Sequence, residues 1–212
     1  MTAEADERTR IIDAAYRCLT ARDGATVPVT DILAEAGLST RAFYRHFASK
    51  DSLLLAMFRR DSDRVLSEMD AIVAAAASPP DALREFIAGT LWLTSDGRRR
   101  QRIMILISEE AQRARGYAAE RARACATQER TIIRVLRQGL ADGSFPWARP
   151  EADARSIRAA MNQAFDEQMS RSAPVTAAEA ADRIIDFALR ALGAAAPDGM
   201  ALAPGPTSQQ AR

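Results

Sequence analysis

The sequence predicts an all-α protein in two parts, a short unit of tightly connected helices at the N-terminus and a longer helical region behind it. Three observations predict this. Apolar residues recur at steps of three and four, and no stretch alternates as a half-buried strand would. Alanine is abundant while aromatic residues make up only 6% of the chain, a balance that favours helix over sheet. Gly, Pro and capping residues then divide the apolar stripes into about nine helices.

The first stripe, residues 7–21, sets Ile11, Ile12, Ala15, Tyr16 and Leu19 on one face, and Gly24 ends it. Thr30 is expected to cap a short helix carrying Ile32, Leu33 and Ala36, which Gly37 stops. Ser39 caps a third helix, Thr40 to His46, with Phe43 and the following Phe47 turned inward. Ser49 caps a long helix whose first turn holds Asp51, where the helix dipole favours a carboxylate. That helix runs through Leu54, Phe58, Val65, Met69 and Ile72 to Pro79-Pro80. Asp81 is expected to cap the next helix, with Leu83, Phe86, Ile87 and Leu91 on one side and Trp92 on the other, buried on two faces. Ile103 to Ile107 is an apolar run whose period is ambiguous, and its Arg-, Glu-, Gln- and Ala-rich flanks favour helix. Residues 120–140 carry Ile132, Ile133, Leu136 and Leu140 up to a loop from Asp142 to Pro146. Residues 151–170 space Ala154, Ile157, Met161, Ala164 and Gln168 by threes and fours. Thr176 and Glu179 form a capping box for the last helix, which carries Ile184, Phe187, Ala188 and Ala191. This division gives an N-terminal domain over 1–50, a helical domain over 51–193, and a tail over 194–212 whose Ala, Pro, Gly, Ser and Gln predict disorder.

Composition narrows the function. With 48% hydrophobic and 27% charged residues, 212 residues bury a sizeable core. Lys+Arg and Asp+Glu number 29 and 28, so any footprint for nucleic acid must be local. Lys50 is the only lysine, and the other 28 basic residues are arginine. Cys18 and Cys125 cannot build a disulfide framework and lack metal-ligand spacing, which fits a reducing compartment. Met1 to Arg10 lacks the apolar core of a signal peptide, and no run approaches the length of a membrane span, so a cytoplasmic protein without a membrane partner is expected. Asp13, Glu109, Glu110 and Asp166 are conceivable catalytic carboxylates. Yet the one histidine, His46, lies in the short-helix segment, and neither GxSxG nor a Gly-rich phosphate loop is present. The expectation is no catalytic residue, no metal and no cofactor.

The local footprint lies between Leu38 and Lys50. Two short helices joined by Gly37-Leu38-Ser39 make a helix-turn-helix. At 100° per residue, Arg45 falls about 180° and Arg41 about 140° from the direction set by Phe43 and Phe47. Tyr44 and His46 take the two flanks, and Thr40 stands at the helix N-terminus. This segment holds three basic residues and no acidic one. The guanidinium fork matches guanine O6 and N7 in the major groove. Tyr44, Lys50 and the N–H groups of capped helix starts suit phosphate, which positions without specifying sequence. The competing reading of Arg41 and Arg45 is a solvated helix face, and that of Arg98-Arg99-Arg100 with Arg102 is a solvated helix start rather than a second nucleic-acid patch.

From Thr9 to about Phe58 the sequence resembles the DNA-binding domain of the TetR family of bacterial transcription regulators. The resemblance rests on the first apolar stripe, Ile32-Leu33-Ala34-Glu35-Ala36-Gly37, the Ser39 cap, Phe43-Tyr44 with His46-Phe47, and Ser49-Lys50-Asp51 with Leu53. Val27-Pro28-Val29 departs from the usual pattern. The resemblance implies a three-helix DNA-binding domain followed by a helical ligand-binding and dimerisation domain, acting mostly in repression. It implies phosphate contacts from Tyr44, His46 and Lys50 and base reading from Thr40 and Arg41. With Thr30, Ser39 and Arg45 these are the candidate DNA-binding residues.

The candidate ligand-binding residues are Trp92, Met104, Ile107, Met161 and Phe165, large apolar side chains whose bland alternative is plain core. Few fixed charges accompany them, so a small, mostly apolar effector is expected. Ala154, Ile157, Met161, Ile184, Phe187 and Ala191 are the candidate homodimer face, with packing into their own subunit as the alternative. The expected function is a ligand-responsive repressor binding a palindromic double-stranded DNA operator. The alternatives are an activator, a ligand-independent regulator, or a helical protein-interaction module that has lost DNA binding.

Overall fold

The computed structural model describes residues 3–22, 26–170 and 173–194. Among them are ten α-helices and no strand: α1 (Ala3–Ala21), α2 (Val29–Ala36), α3 (Thr40–His46), α4 (Lys50–Ala75), α5 (Pro79–Trp92), α6 (Gly97–Leu106), α7 (Glu109–Arg113), α8 (Tyr117–Asp142), α9 (Pro150–Met169) and α10 (Ala177–Ala191). The helix beyond the expected nine is α7, five residues capped by Ser108, too short to leave a periodic signature. The expected terminator Gly24 and the expected tail beyond Ala194 lie outside the described residues.

Two apolar clusters organise these helices. The first joins Ile11 and Ile12 of α1, Ile32 of α2, Phe43 of α3, and Leu53 and Met57 of α4. The second joins Phe86 and Leu91 of α5, Ile132 and Leu136 of α8, Met161 of α9 and Ala188 of α10. The long helix α4 serves both, since Met69 and Val73 from its C-terminal half enter the second cluster. The helix α6 turns back from α5 and places Ile105 and Leu106 in the first cluster, against α1.

The capping expectations hold at Ser39, Ser49 and Thr176, the last two as full capping boxes. Thr30 does not cap α2. Pro28 holds that position at φ −62° and ψ 148°, its carbonyl accepting from Asp31 N at 3.2 Å, so Thr30 falls inside the first turn. The fixed φ of proline suits the extended residue just outside a helix, and its missing N–H is not needed there. Asp81 likewise sits inside α5. Ser78 is the cap, accepting from Asp81 N at 3.3 Å, and Pro79 and Pro80 begin the helix rather than ending the previous one. Gly37 ends α2 in the left-handed region at φ 63°, letting Leu38 N reach Leu33 O at 3.1 Å, the turn that swings α3 across α2.

Three further expectations need correction. Trp92 is 52% exposed, because α5 ends there and the side chain falls outside the faces covered by neighbouring helices. Met104 is also exposed. Ala154, Ile157, Met161 and Ile184 are buried in the chain's own core, where α5, α8, α9 and α10 pack on one another, so they are not free to meet a second copy. A three-four stripe marks a buried face without saying whose surface covers it. Of the six expected dimer residues, Phe187 and Ala191 remain on the surface.

Candidate nucleic-acid interface and cavity

The outward face of α3 is assembled by its inward one. Ala42, Phe43 and the C-cap Phe47 are buried, with Phe43 and Phe47 ring centroids 5.6 Å apart. With those directions fixed, Thr40, Arg41, Tyr44 and Arg45 project to solvent. Ser39 is exposed, and its hydroxyl accepts from Ala42 N at 3.3 Å. Tyr44 is 63% exposed and braced edge-on against Phe43 at 5.3 Å, a held aromatic with its hydroxyl end in water. Arg41 forms no hydrogen bond or ion pair among the described residues. Thr30 is exposed in the first turn of α2, its hydroxyl 3.4 Å from Asp31 Oδ1.

The acidic groups of α2 are occupied. Glu35 of α2 accepts from Arg17 and Asp31 from Arg22, each at 2.6 Å. The helix-turn-helix therefore shows a basic outer face although the chain is nearly neutral. Two expected contact residues are less free than their neighbours. His46 is mostly covered and donates from Nε2 to Glu7 Oε2 at 3.0 Å, and Arg45 Nη2 lies 3.2 Å from the same oxygen. The His46 hydrogen bond and the Arg45 charge hold the Glu7 carboxyl below its ordinary value. Lys50, the first residue of α4, gives its ammonium to Glu110 of α7. Neither acidic partner was legible in the sequence, since Glu7 is 39 and Glu110 is 60 residues away from the base it holds.

Behind this unit lies a cavity of about 430 Å³ between α4, α5, α6, α8 and α9. Ile107, Met161 and Phe165 line it as expected residues, while Trp92 does not, and Met104 instead borders an open recess with Leu19 of α1. The sequence reading missed Phe58 and Tyr117, whose rings meet edge-on at 5.3 Å on the cavity wall. It also missed polar lining. Asp61 is buried there and forms an ion pair with Arg102, while Arg121 and Asp166 bring further charge. The side-chain amides of Gln128 and Asn162 line the same space and have no hydrogen-bond partner among the described residues. Burial raises the Tyr117 phenol above its ordinary value, so it stays protonated and remains a donor.

Three of the four arginines at the start of α6 are spent within the chain, while Arg98 is exposed. Arg99 pairs with Glu68 at 2.7 Å, Arg100 donates to the carbonyls of Gln168 and Met169 at 2.6 and 3.1 Å, and Arg102 Nε lies 3.3 Å from Asp61. Among the described residues no group of three His, Cys, Asp or Glu side chains could hold a metal ion, and no helix is long and apolar enough to cross a membrane.

Comparison with known proteins places the N-terminal unit. Residues 11–57 match the family described as "Bacterial regulatory proteins, tetR family". An uncharacterised HTH-type transcriptional regulator of Mycobacterium tuberculosis is 34% identical over 87 residues, which are 41% of this chain and 43% of that protein. The match thus spans less than half the length of that relative. Among solved structures, the complex of SmeT with triclosan is 23% identical with a TM-score of 0.72, covering 98% of this chain and 99% of that one. FadR from Bacillus subtilis, in complex with stearoyl-CoA, is 14% identical with a TM-score of 0.70, covering 86% and 98%. At these identities the likeness is one of fold.

Proposed function

We propose that this chain, whose residues 11–57 match the tetR family of bacterial regulatory proteins, is a sequence-specific DNA-binding repressor that acts as a dimer and leaves its operator when a small, mostly apolar molecule enters the cavity. The observation that carries this reading is the outer face of α3, where Arg41, without a partner among the described residues, braced Tyr44 and Arg45 stand together on a helix held by a capped start and two buried phenylalanines. Arg41 and Thr40 would read base edges, while Tyr44 and Lys50 would hold phosphate.

The cavity supports the responsive half of the proposal. Its apolar wall and the amides of Gln128 and Asn162, unpartnered among the described residues, suit a ligand with one hydrogen-bonding end. Two proteins of similar fold were solved as complexes with small molecules. Ile103 of α6 and its C-cap Ile107 line the cavity, Ile105 packs in the first cluster, and Leu106 belongs to both, so a ligand that moves α6 moves the unit carrying α3. In a dimer the two α3 helices must meet half-sites about one helical turn apart, and a small displacement weakens both at once. DNA must weaken the ligand by the same factor, with a typical coupling of about 1–3 kcal/mol.

The test is a fluorescence-anisotropy titration of the protein against the DNA upstream of its own coding region and against random duplex of equal length at fixed salt. A preference of roughly 10³-fold or more is expected for a specific regulator. Equal binding to both, or none, overturns the reading.

A further inference from the structure

Lys50 carries the charge that the proposed DNA-binding reading assigns to phosphate, yet in this structure that charge is already taken. Its Nζ donates to Glu110 Oε1, and both side chains are about four-fifths covered. The other carboxylate oxygen, Glu110 Oε2, is buried without a hydrogen-bond partner among the described residues. The pair joins the first turn of α4 to α7, 60 residues apart in sequence. A second tether lies beside it, because Asp51 Oδ2 accepts from Arg115 N at 3.1 Å. The helix α7 packs against α4, α6 and α8. Its Gln112 lines the cavity and donates to Ile107 O, another cavity residue, at 2.6 Å.

We propose that Glu110 is an internal competitor for operator phosphate, an affinity-setting residue that occupies Lys50 in the free protein and must release it when DNA binds. The inference rests on the DNA-binding reading above. A carboxylate and a phosphate both draw on the one positive charge of Lys50 and repel each other across it. The grip of Glu110 therefore weakens the hold on phosphate even though the ammonium has three N–H donors. Glu110 is a poised competitor rather than a fixed one. Half of its hydrogen-bonding capacity is unmet in the paired state, which makes that state less favourable than a fully satisfied buried ion pair. The cost of releasing Lys50 is charged against every duplex, specific or random, so Glu110 lowers affinity without choosing sequence. Since α7 is bonded to the cavity wall, the strength of this grip depends on how α7 sits.

Lys50 is the only lysine of the chain, which gives the test a single probe. Reductive methylation with ¹³C-formaldehyde keeps the side-chain charge and gives one lysine resonance besides that of the N-terminal amine. In free wild type and free Glu110→Gln the resonance should differ, and with saturating random duplex the two should converge. By anisotropy, Glu110→Gln should bind the same duplex about three- to tenfold more tightly, and the gain should vanish in a Lys50→Ala background. Removing a negative charge near DNA by itself would strengthen binding in both backgrounds, so persistence of the gain without Lys50 overturns the competition. A wild-type resonance that does not move when DNA binds overturns it as well, and this needs no variant to fold. If wild type and variant alike bind no DNA, it is the DNA-binding reading that fails, and the competition with it.

Discussion

Arg102 of α6 lays its guanidinium 4.3 Å from the centroid of the Tyr16 ring of α1. The same side chain reaches Asp61 of α4 at 3.3 Å, and Asp61 borders the cavity. One arginine thus ties the cavity wall to the first helix of the N-terminal unit. Burial and the Asp61 charge push the Tyr16 phenol far above its ordinary value, so it stays protonated as a donor at every physiological pH.

Removing Arg102 would leave the buried Asp61 carboxylate without its cation. Arg102→Ala should therefore destabilise the fold by about 1–3 kcal/mol, the usual cost of a buried acceptor left unmet. Asp61→Asn in the same chain removes the stranded charge and should recover part of that loss. Urea midpoints of the two single variants and the double variant measure the coupling. Additive losses would mean that the two residues do not act as a pair.

On the outer face of α3, Arg41 and Tyr44 should fail differently. Arg41→Ala should cost about 1–3 kcal/mol on the preferred sequence and relax choice at one base position per half-site. Tyr44→Ala should weaken all duplexes alike, since phosphate contacts carry no sequence information. Competition binding against a library varied at single positions separates the outcomes. An unchanged ratio of specific to random binding for Arg41→Ala would remove that residue from base reading.

The contrast between these two sites shows where sequence was informative. The turn at Gly37, the Ser39 cap and the Phe43–Phe47 spacing are local, so the orientation of Arg41 and Arg45 follows from a wheel. The pairs Glu7–His46 and Lys50–Glu110 are not local. Which acid meets which base depends on how α1 and α7 dock, and no periodicity encodes that. The same limit explains the helix stripes. Ile157 and Ile184 read as buried faces, and they are, but the covering surface is α5 and α8 of the same chain. Trp92 misled for a complementary reason, because a helix end escapes the regular contacts that a wheel assumes.

Acid should loosen the seam between α4 and α8. Hydrogen bonds from Arg59, and then Arg123, hold the Glu120 carboxyl below its ordinary value of 4.5. A carboxylate with a depressed folded pKa contributes stability that is present above the unfolded value and is lost as pH falls through the folded one. Stability should therefore decline below about pH 4.5. Glu120→Gln should flatten that part of the profile while leaving a lower plateau at neutral pH. Urea unfolding followed by circular dichroism across this range checks both, and an unchanged slope in the variant would place the acid sensitivity elsewhere.

Assembly is best tested at Phe187. It projects from α10 with 54% of its surface exposed, while Ile157 and Ile184 beneath the same helices are buried. An arginine at Ile157 would break the core and unfold the monomer, which says nothing about dimers. An arginine at Phe187 enters solvent and should leave the helical fold intact. If α10 forms a two-fold interface, Phe187 faces an equivalent surface of its partner, and Phe187→Arg sets two charges against each other across the axis. Sedimentation at micromolar concentration should then show dimer for wild type and monomer for the variant, with matching helical circular dichroism. Binding to a palindromic duplex should weaken in parallel, because each monomer holds only one half-site. A variant that remains dimeric moves the interface off this face of α10. A wild type that sediments as a monomer yet holds a single palindrome tightly removes the solution dimer altogether.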